Sequence, residues 1–195
     1  MIFAWLLFFM PHLNIEIKAR LTKKNEIIEV GQARSIDPDS IRKYLQDHDA
    51  KFIGTDKQTD TYFNVSNGRL KLREGIIENN LIYYNRSNQA NPKSSHFQLI
   101  KLEHPKEIKE VLTQSCGIKI IVHKRREIFY IDNVKFHTDE LEGLGSFVEI
   151  EAGNILADKT EAELLDQCNF YMKEFGIRAI DLVAESYSDL LLNKG

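Results

Sequence analysis

Charged residues recur at every second position in three separate stretches of this chain. They are Glu16 and Lys18 in Asn14-Ile15-Glu16-Ile17-Lys18, Arg69, Lys71 and Arg73 in Arg69-Leu70-Lys71-Leu72-Arg73, and Glu149 and Glu151 in Phe147-Val148-Glu149-Ile150-Glu151. Successive side chains of a β-strand point to opposite faces, so in each stretch the charges share one face and the apolar residues the other. More bases stand in Tyr84-Asn85-Arg86 and in Lys124-Arg125-Arg126, where Lys124 and Arg126 are in phase while His123 and Arg125 are one residue out. Carboxylates toward both ends of the chain and bases between them point to one site that holds a polyphosphate and metal ions.

The residue types suit that chemistry. Arg69, Lys71 and Arg73 fall roughly 7 Å apart by strand rise, so they repel one another unless an anion lies among them. Arginine grips phosphate oxygens with a planar fork and lysine adds a point charge; Arg86, Lys124 and Arg126 offer the same from other strands. Glu16, Asp139, Glu149 and Glu151 are all-oxygen ligands of the kind that bind Mg²⁺ or Mn²⁺ together with phosphate oxygens. Clustered carboxylates raise one another's pKa, and a divalent cation supplies the missing counter-charge. Other chemistries lack their residues. The chain has no GxxxxGK[ST], GxGxxG or HExxH. Its six histidines lack metal-ligand spacing, which argues against zinc. Ser186 and Ser188 lack the nearby histidine and acid that a nucleophilic serine needs.

Period-two runs over about 13–22, 51–64, 68–76, 81–87, 95–103, 118–131, 134–141 and 146–153 predict eight strands, with turns at Asn67-Gly68, Asn79-Asn80, Asp132-Asn133 and Gly143-Leu144-Gly145. Asp37-Pro38 opens a helix carrying Ile41, Tyr44 and Leu45. Pro105 opens a second, with Ile108, Val111 and Leu112 on one face and Gly117 at its end. Asp158 to Glu161 reads as a capping box for a third helix that Gly176 closes, and Ser186 to Leu192 as a short terminal one. The expected class is α+β: an eight-stranded antiparallel closed barrel with flanking helices, its charged faces lining a wet lumen and its apolar faces turned outward under the helices.

A length of 195 residues fits a single domain over 10–195. The net charge of −3 argues against a broadly basic nucleic-acid-binding surface. Cys116 and Cys168 form no CxxC and no disulfide framework, as expected of a reducing cytoplasm. Met1 to Met10 reads MIFAWLLFFM, about half a membrane span and without a signal peptide's basic start. We expect residues 1–9 to be a gene-model extension or disordered, with Met10 as the start; a short membrane anchor is the alternative.

Taken in order, these segments resemble the CYTH superfamily, which groups class IV adenylate cyclases with thiamine triphosphatases and related triphosphate-processing enzymes. Its ExExK motif is similar to Asn14 through Lys18. Its basic strands are similar to Arg69 through Glu74 and Tyr83 through Arg86, its K-x-R to Lys124-Arg125-Arg126, and its closing segment to Asp139 through Glu151. Gln58 to Phe63 and Ser186 to Leu191 resemble the class IV cyclase branch. The resemblance implies a triphosphate tunnel that uses divalent metal to convert ATP to cyclic AMP and pyrophosphate, with triphosphate hydrolysis as the alternative. Arg69, Lys71, Arg73, Arg86, Lys124 and Arg126 would hold substrate, Lys18 and Arg126 would act in catalysis, and Glu16, Asp139, Glu149 and Glu151 would hold metal. The expected partner is a nucleotide or other triphosphate, with neither nucleic acid nor membrane; a homodimer is compatible with the sequence. One departure stands out: Asn14 occupies the place of the family's first glutamate, which weakens any second metal site.

Overall fold

Alternating charge and apolarity do produce strands. In the computed structural model, which describes residues 12–22, 36–85, 92–155 and 157–194, the strands are β1 (His12–Leu21), β2 (Lys51–Phe63), β3 (Arg69–Glu74), β4 (Asn80–Asn85), β5 (Lys93–Lys101), β6 (Ile118–Ile131), β7 (Val134–Leu141) and β8 (Gly145–Gly153). They close into an antiparallel barrel in the order β1-β5-β4-β3-β2-β6-β7-β8. Among the described residues, four α-helices flank it: α1 (Pro38–Asp47), α2 (Pro105–Cys116), α3 (Glu161–Glu174) and α4 (Tyr187–Leu192). Arg86 and the segment 1–9, with the proposed start at Met10, lie outside the described residues.

The main hydrophobic core lies outside the barrel wall. Ile15, Ile17, Ala19 and Leu21 of β1 and Val148, Ile150 and Ala152 of β8 face outward, under Ile41 and Leu45 of α1 and Leu164 and Cys168 of α3. Burying each such aliphatic side chain is worth about 1.5–3 kcal/mol, and this layer fixes which face of β1 and β8 turns inward. Asp37 caps α1 by accepting from the Asp39 N–H, with Pro38 in the first turn. The cap of α3 is Thr160, answered by Glu163 in a reciprocal box, two residues beyond the Asp158–Glu161 pair that the sequence suggests.

Two expectations need correction. The apolar stripe of α2 does not dock: Ile108 and Leu112 are half-buried, Val111 is 64% exposed, and the helix is tied by a Lys109–Glu74 ion pair of 2.6 Å instead. Nor is the lumen charged throughout. At the end where β1 and β7 finish, Tyr62, Val122, Leu141 and Phe147 turn inward and pack against Tyr187 of α4, with Leu190 and Leu191 behind. The terminal helix plugs that end with an apolar stopper. Among the described residues, no helix is long and apolar enough to cross a membrane.

Candidate active site

Strand register assembles the charged faces into one belt. Across β1 and β8, Glu16 stands opposite Glu151 and Lys18 opposite Glu149. Across β7 and β8, Lys135 stands opposite Glu151 and His137 opposite Glu149. Arg126 of β6 faces Asp139 of β7, and Arg73 of β3 faces Asp60 of β2. Each pair is a cross-strand neighbour, so its contact follows from the pleat once the register is set. Together they surround a cavity of about 650 Å³, within the size range of small-molecule sites.

Four knots of charge organise the belt. In the first, Asp60 accepts from Arg73 Nε and Nη2 at 2.8 and 3.0 Å, from Lys124 Nζ at 2.6 Å, and from Lys71 Nζ at 3.4 Å. Burial opposes ionisation of Asp60, but Arg73, Lys124 and Lys71 override it and hold the carboxyl well below the usual carboxylate range. Three bases share this one acid, and the excess positive charge falls on the lysine. Burial, with Arg126 and Arg73 beside it, pushes the Lys124 amine down to about 7 against the pull of Asp60.

In the second knot, Arg126 forks onto Asp139, Nε to Oδ1 at 2.7 Å and Nη2 to Oδ2 at 2.5 Å, and Nη2 also reaches Glu149 at 2.6 Å. The Tyr187 hydroxyl donates to Asp139 at 2.7 Å. In the third, Glu78 accepts from Arg73 at 2.9 Å, Lys135 at 2.5 Å and Gln58 at 3.0 Å. Glu78 is carried there by a loop wrapped on the buried Asp56, whose carboxylate accepts from the N–H groups of Ile76, Ile77 and Glu78. Gly75 permits the wrap, because a Cβ there would stand 2.5 Å from Asp56 Oδ2.

The fourth knot is His137, Glu149 and Glu151, whose ligand atoms all lie within 4.8 Å of one another. Burial opposes ionisation of Glu151, but His137 and Lys135 hold its carboxyl at about 2. Glu149 is held well below the usual range by Arg126 and Lys18 despite burial.

The sequence-predicted residues therefore divide. Glu16, Lys18, Lys71, Arg73, Lys124, Arg126, Glu149 and Glu151 all line the cavity, as does Asn14. Arg125 and His123 point outward, as their phase requires. Arg69 does not join: on the same face as Lys71, it lies at the plugged end and pairs with Asp189 of α4 at 2.9 Å. Asp139 lies behind the cavity lining, where both its oxygens accept from Arg126 and one also from Tyr187. Sequence reasoning passed over Asp60, Glu78, Lys135 and His137. Lys135 and His137 are in phase with Asp139, a signal that was available; Glu78 sits in a loop with no period to reveal it.

Outside the belt, toward the open end, the wall turns apolar. Ile53, Ile77, Leu99 and Ile155 are exposed at the mouth beside Ile128 and Tyr130. A bulge between Phe52 and Gly54, with Gly54 at φ +145°, interrupts the alternation of β2 beside Ile53.

The CYTH domain model matches residues 12–187. A curated protein of Methanocaldococcus jannaschii, named "Putative adenylate cyclase MJ0240", is 24% identical over 181 residues, covering 91% of this chain and 98% of that one. Among solved structures, the PH1012 protein of Pyrococcus horikoshii superposes with a TM-score of 0.72 at 21% identity, covering 91% of this chain and 98% of that one. A conserved hypothetical protein of Pyrococcus furiosus gives 0.71 at 18% identity, covering 91% and 99%.

Proposed function

The chain belongs to the CYTH domain family, and on that premise we propose that it is a metal-dependent adenylate cyclase, converting ATP to cyclic AMP and pyrophosphate in the cytoplasm. The observation that carries this reading is the order of surfaces along the barrel axis. An apolar mouth leads to a charged belt, and the belt ends at the stopper of α4. A triphosphate entering phosphates-first would place its chain among Lys71, Arg73, Lys124 and Arg126 and leave a base and sugar against Ile53, Leu99, Ile128 and Tyr130. An inorganic polyphosphate gains nothing from such a mouth.

Incoming phosphates would take over the bases that Asp60 and Glu78 now hold. Arg73 and Arg126 are preorganised by their carboxylate partners, so little reorganisation is needed when charge develops on the leaving pyrophosphate. Lys18, 3.4 Å from Glu149, offsets the acid charge beside the phosphates. The acid set fits a divalent cation: Glu149 and Glu151, with Glu16 opposite, are oxygen donors in one buried knot. Bound there, the cation would supply Lewis-acid charge to the polyphosphate.

The deciding assay incubates the purified chain with ATP and Mn²⁺ and separates the products. Cyclic AMP with pyrophosphate is the expected result. ADP with phosphate would assign hydrolysis instead, and turnover of tripolyphosphate without turnover of ATP would overturn the organic substrate.

Substrate binding is also expected to take up a proton at pH 8. Free Lys124, held at about 7, is mostly neutral there, and phosphate oxygens nearby favour its charged form. Calorimetry of α,β-methylene-ATP binding in buffers of different ionisation enthalpy measures this, and Lys124→Met should abolish the uptake.

A further inference from the structure

His137 is an anomaly in a belt where most charged groups have partners. Its side chain is 1% exposed, yet neither ring nitrogen makes a hydrogen bond to any of the described residues. Nδ1 stands 3.5 Å from Glu149 Oε2 and 3.4 Å from Glu151 Oε1. Buried polar atoms without partners are unfavourable and call for an explanation. The same region carries two ionised carboxylates two residues apart on one strand face. One imidazole nitrogen and two carboxylate oxygens within 4.8 Å of one another make a donor set that one cation could share.

We infer that His137 supplies a nitrogen ligand to a divalent cation held jointly by Glu149 and Glu151, and that this nitrogen makes the site prefer a first-row transition cation such as Mn²⁺ over Mg²⁺. The spacing suits it. Adjacent ligands of an octahedral shell about 2.1 Å in radius stand about 3 Å apart, close to the 3.5 and 3.4 Å that separate His137 Nδ1 from the two carboxylate oxygens. The scaffold suits it too. His137 is the direct cross-strand partner of Glu149, so one antiparallel pair, β7 with β8, carries all three donors. Mg²⁺ takes oxygen donors and keeps its water, whereas imidazole is a normal ligand of transition divalents. The all-oxygen set that the sequence suggests thus becomes a mixed one, with His137 in the place given to Asp139.

This inference rests on reading the belt as a metal–triphosphate site, but its test does not depend on turnover. Chain labelled with ¹⁵N-histidine is loaded with Mn²⁺, alone and with α,β-methylene-ATP, and examined by pulsed electron paramagnetic resonance. A ¹⁵N coupling of directly bound strength is expected, and it should vanish in His137→Asn. Titration of the metals should show Mn²⁺ bound at least about tenfold more tightly than Mg²⁺. His137→Asn should lose about 10–100-fold in Mn²⁺ affinity, at least the loss seen when a metal site's supporting groups are removed, and little in Mg²⁺ affinity. Bound Mn²⁺ without nitrogen coupling would overturn the inference and make His137 a protonated counter-ion. A coupling that persists in His137→Asn, or no Mn²⁺ binding under either condition, overturns it equally. The wild-type spectrum needs no variant, so poor folding of His137→Asn leaves the inference open to refutation. Cyclic AMP formation without nitrogen coupling would sink the ligand and leave the cyclase standing; coupling without turnover would do the reverse.

Discussion

Arg126→Ala is expected to unfold in urea with a stability lower by about 3–5 kcal/mol, the range for removing one partner of a buried ion pair, besides losing triphosphate binding. The reason is Asp139. It is 1% exposed, and among the described residues only the Tyr187 hydroxyl remains hydrogen-bonded to it without the guanidinium. Lysine at position 126 should recover part of the loss, since it keeps the charge but not the two-point fork. A double variant, Arg126→Met with Asp139→Leu, removes both charges. It should return close to wild-type stability while remaining inactive, separating the structural part of the arginine from its part toward substrate. The control is its neighbour. Arg125 points outward to Glu127 at 3.1 Å and Glu140 at 3.6 Å; its own side chain is exposed, Glu127 keeps Arg42 as a partner without it, and surface ion pairs such as that with Glu140 are worth about 0–1 kcal/mol. Equal losses at Arg125→Ala and Arg126→Ala would sink both the inward phase of β6 and the tunnel.

The second large effect is expected at Asp60. Asp60→Asn leaves Arg73, Lys124 and Lys71 converging on a neutral amide, so the unliganded chain should lose about 3–5 kcal/mol. Unlike Arg126→Ala, this variant should bind polyanions more tightly, because its bases no longer have a carboxylate to leave. A tenfold gain, about 1.4 kcal/mol, is the scale expected. Tripolyphosphate should therefore raise the melting temperature of Asp60→Asn more than that of wild type. The acid limb of stability should change as well. The folded Asp60 carboxyl titrates below the unfolded one, so as pH falls the unfolded chain takes up its proton first. Stability present above the ordinary carboxylate pKa is then lost toward the folded value. Wild type should lose this contribution below about pH 4 and Asp60→Asn should not. Identical acid limbs, or weaker tripolyphosphate binding in the variant, would mean that Asp60 is not the anion that the bases hold in reserve.

These two sites also mark the limit of sequence legibility. That Arg126 faces inward and Arg125 outward could be read directly, because the side-chain period of a strand is two and depends only on the local backbone. The same parity placed Lys18, Lys71, Arg73, Glu149 and Glu151 correctly, and periodic apolar runs located the strands and helices to within a few residues. Parity also offered His137 and Lys135, two residues apart and in phase with Asp139, but it could not say that either would meet Glu149 and Glu151.

The sequence by itself determined the face on which each strand residue lies, and with it the charged lining of a closed barrel. The tertiary structure alone decided who meets whom inside. Arg126 finds Asp139 through the register of β6 on β7, and Asp139 finds Tyr187 because the last helix returns to seal one end. Arg69 leaves its strand-mates for Asp189 on that same helix. Glu78 enters the belt only because Gly75 lets its loop close on Asp56. Alternation is a short-range consequence of the pleat. Pair register and end closure are set by contacts between segments up to 167 residues apart, and a period along one strand carries no information about them.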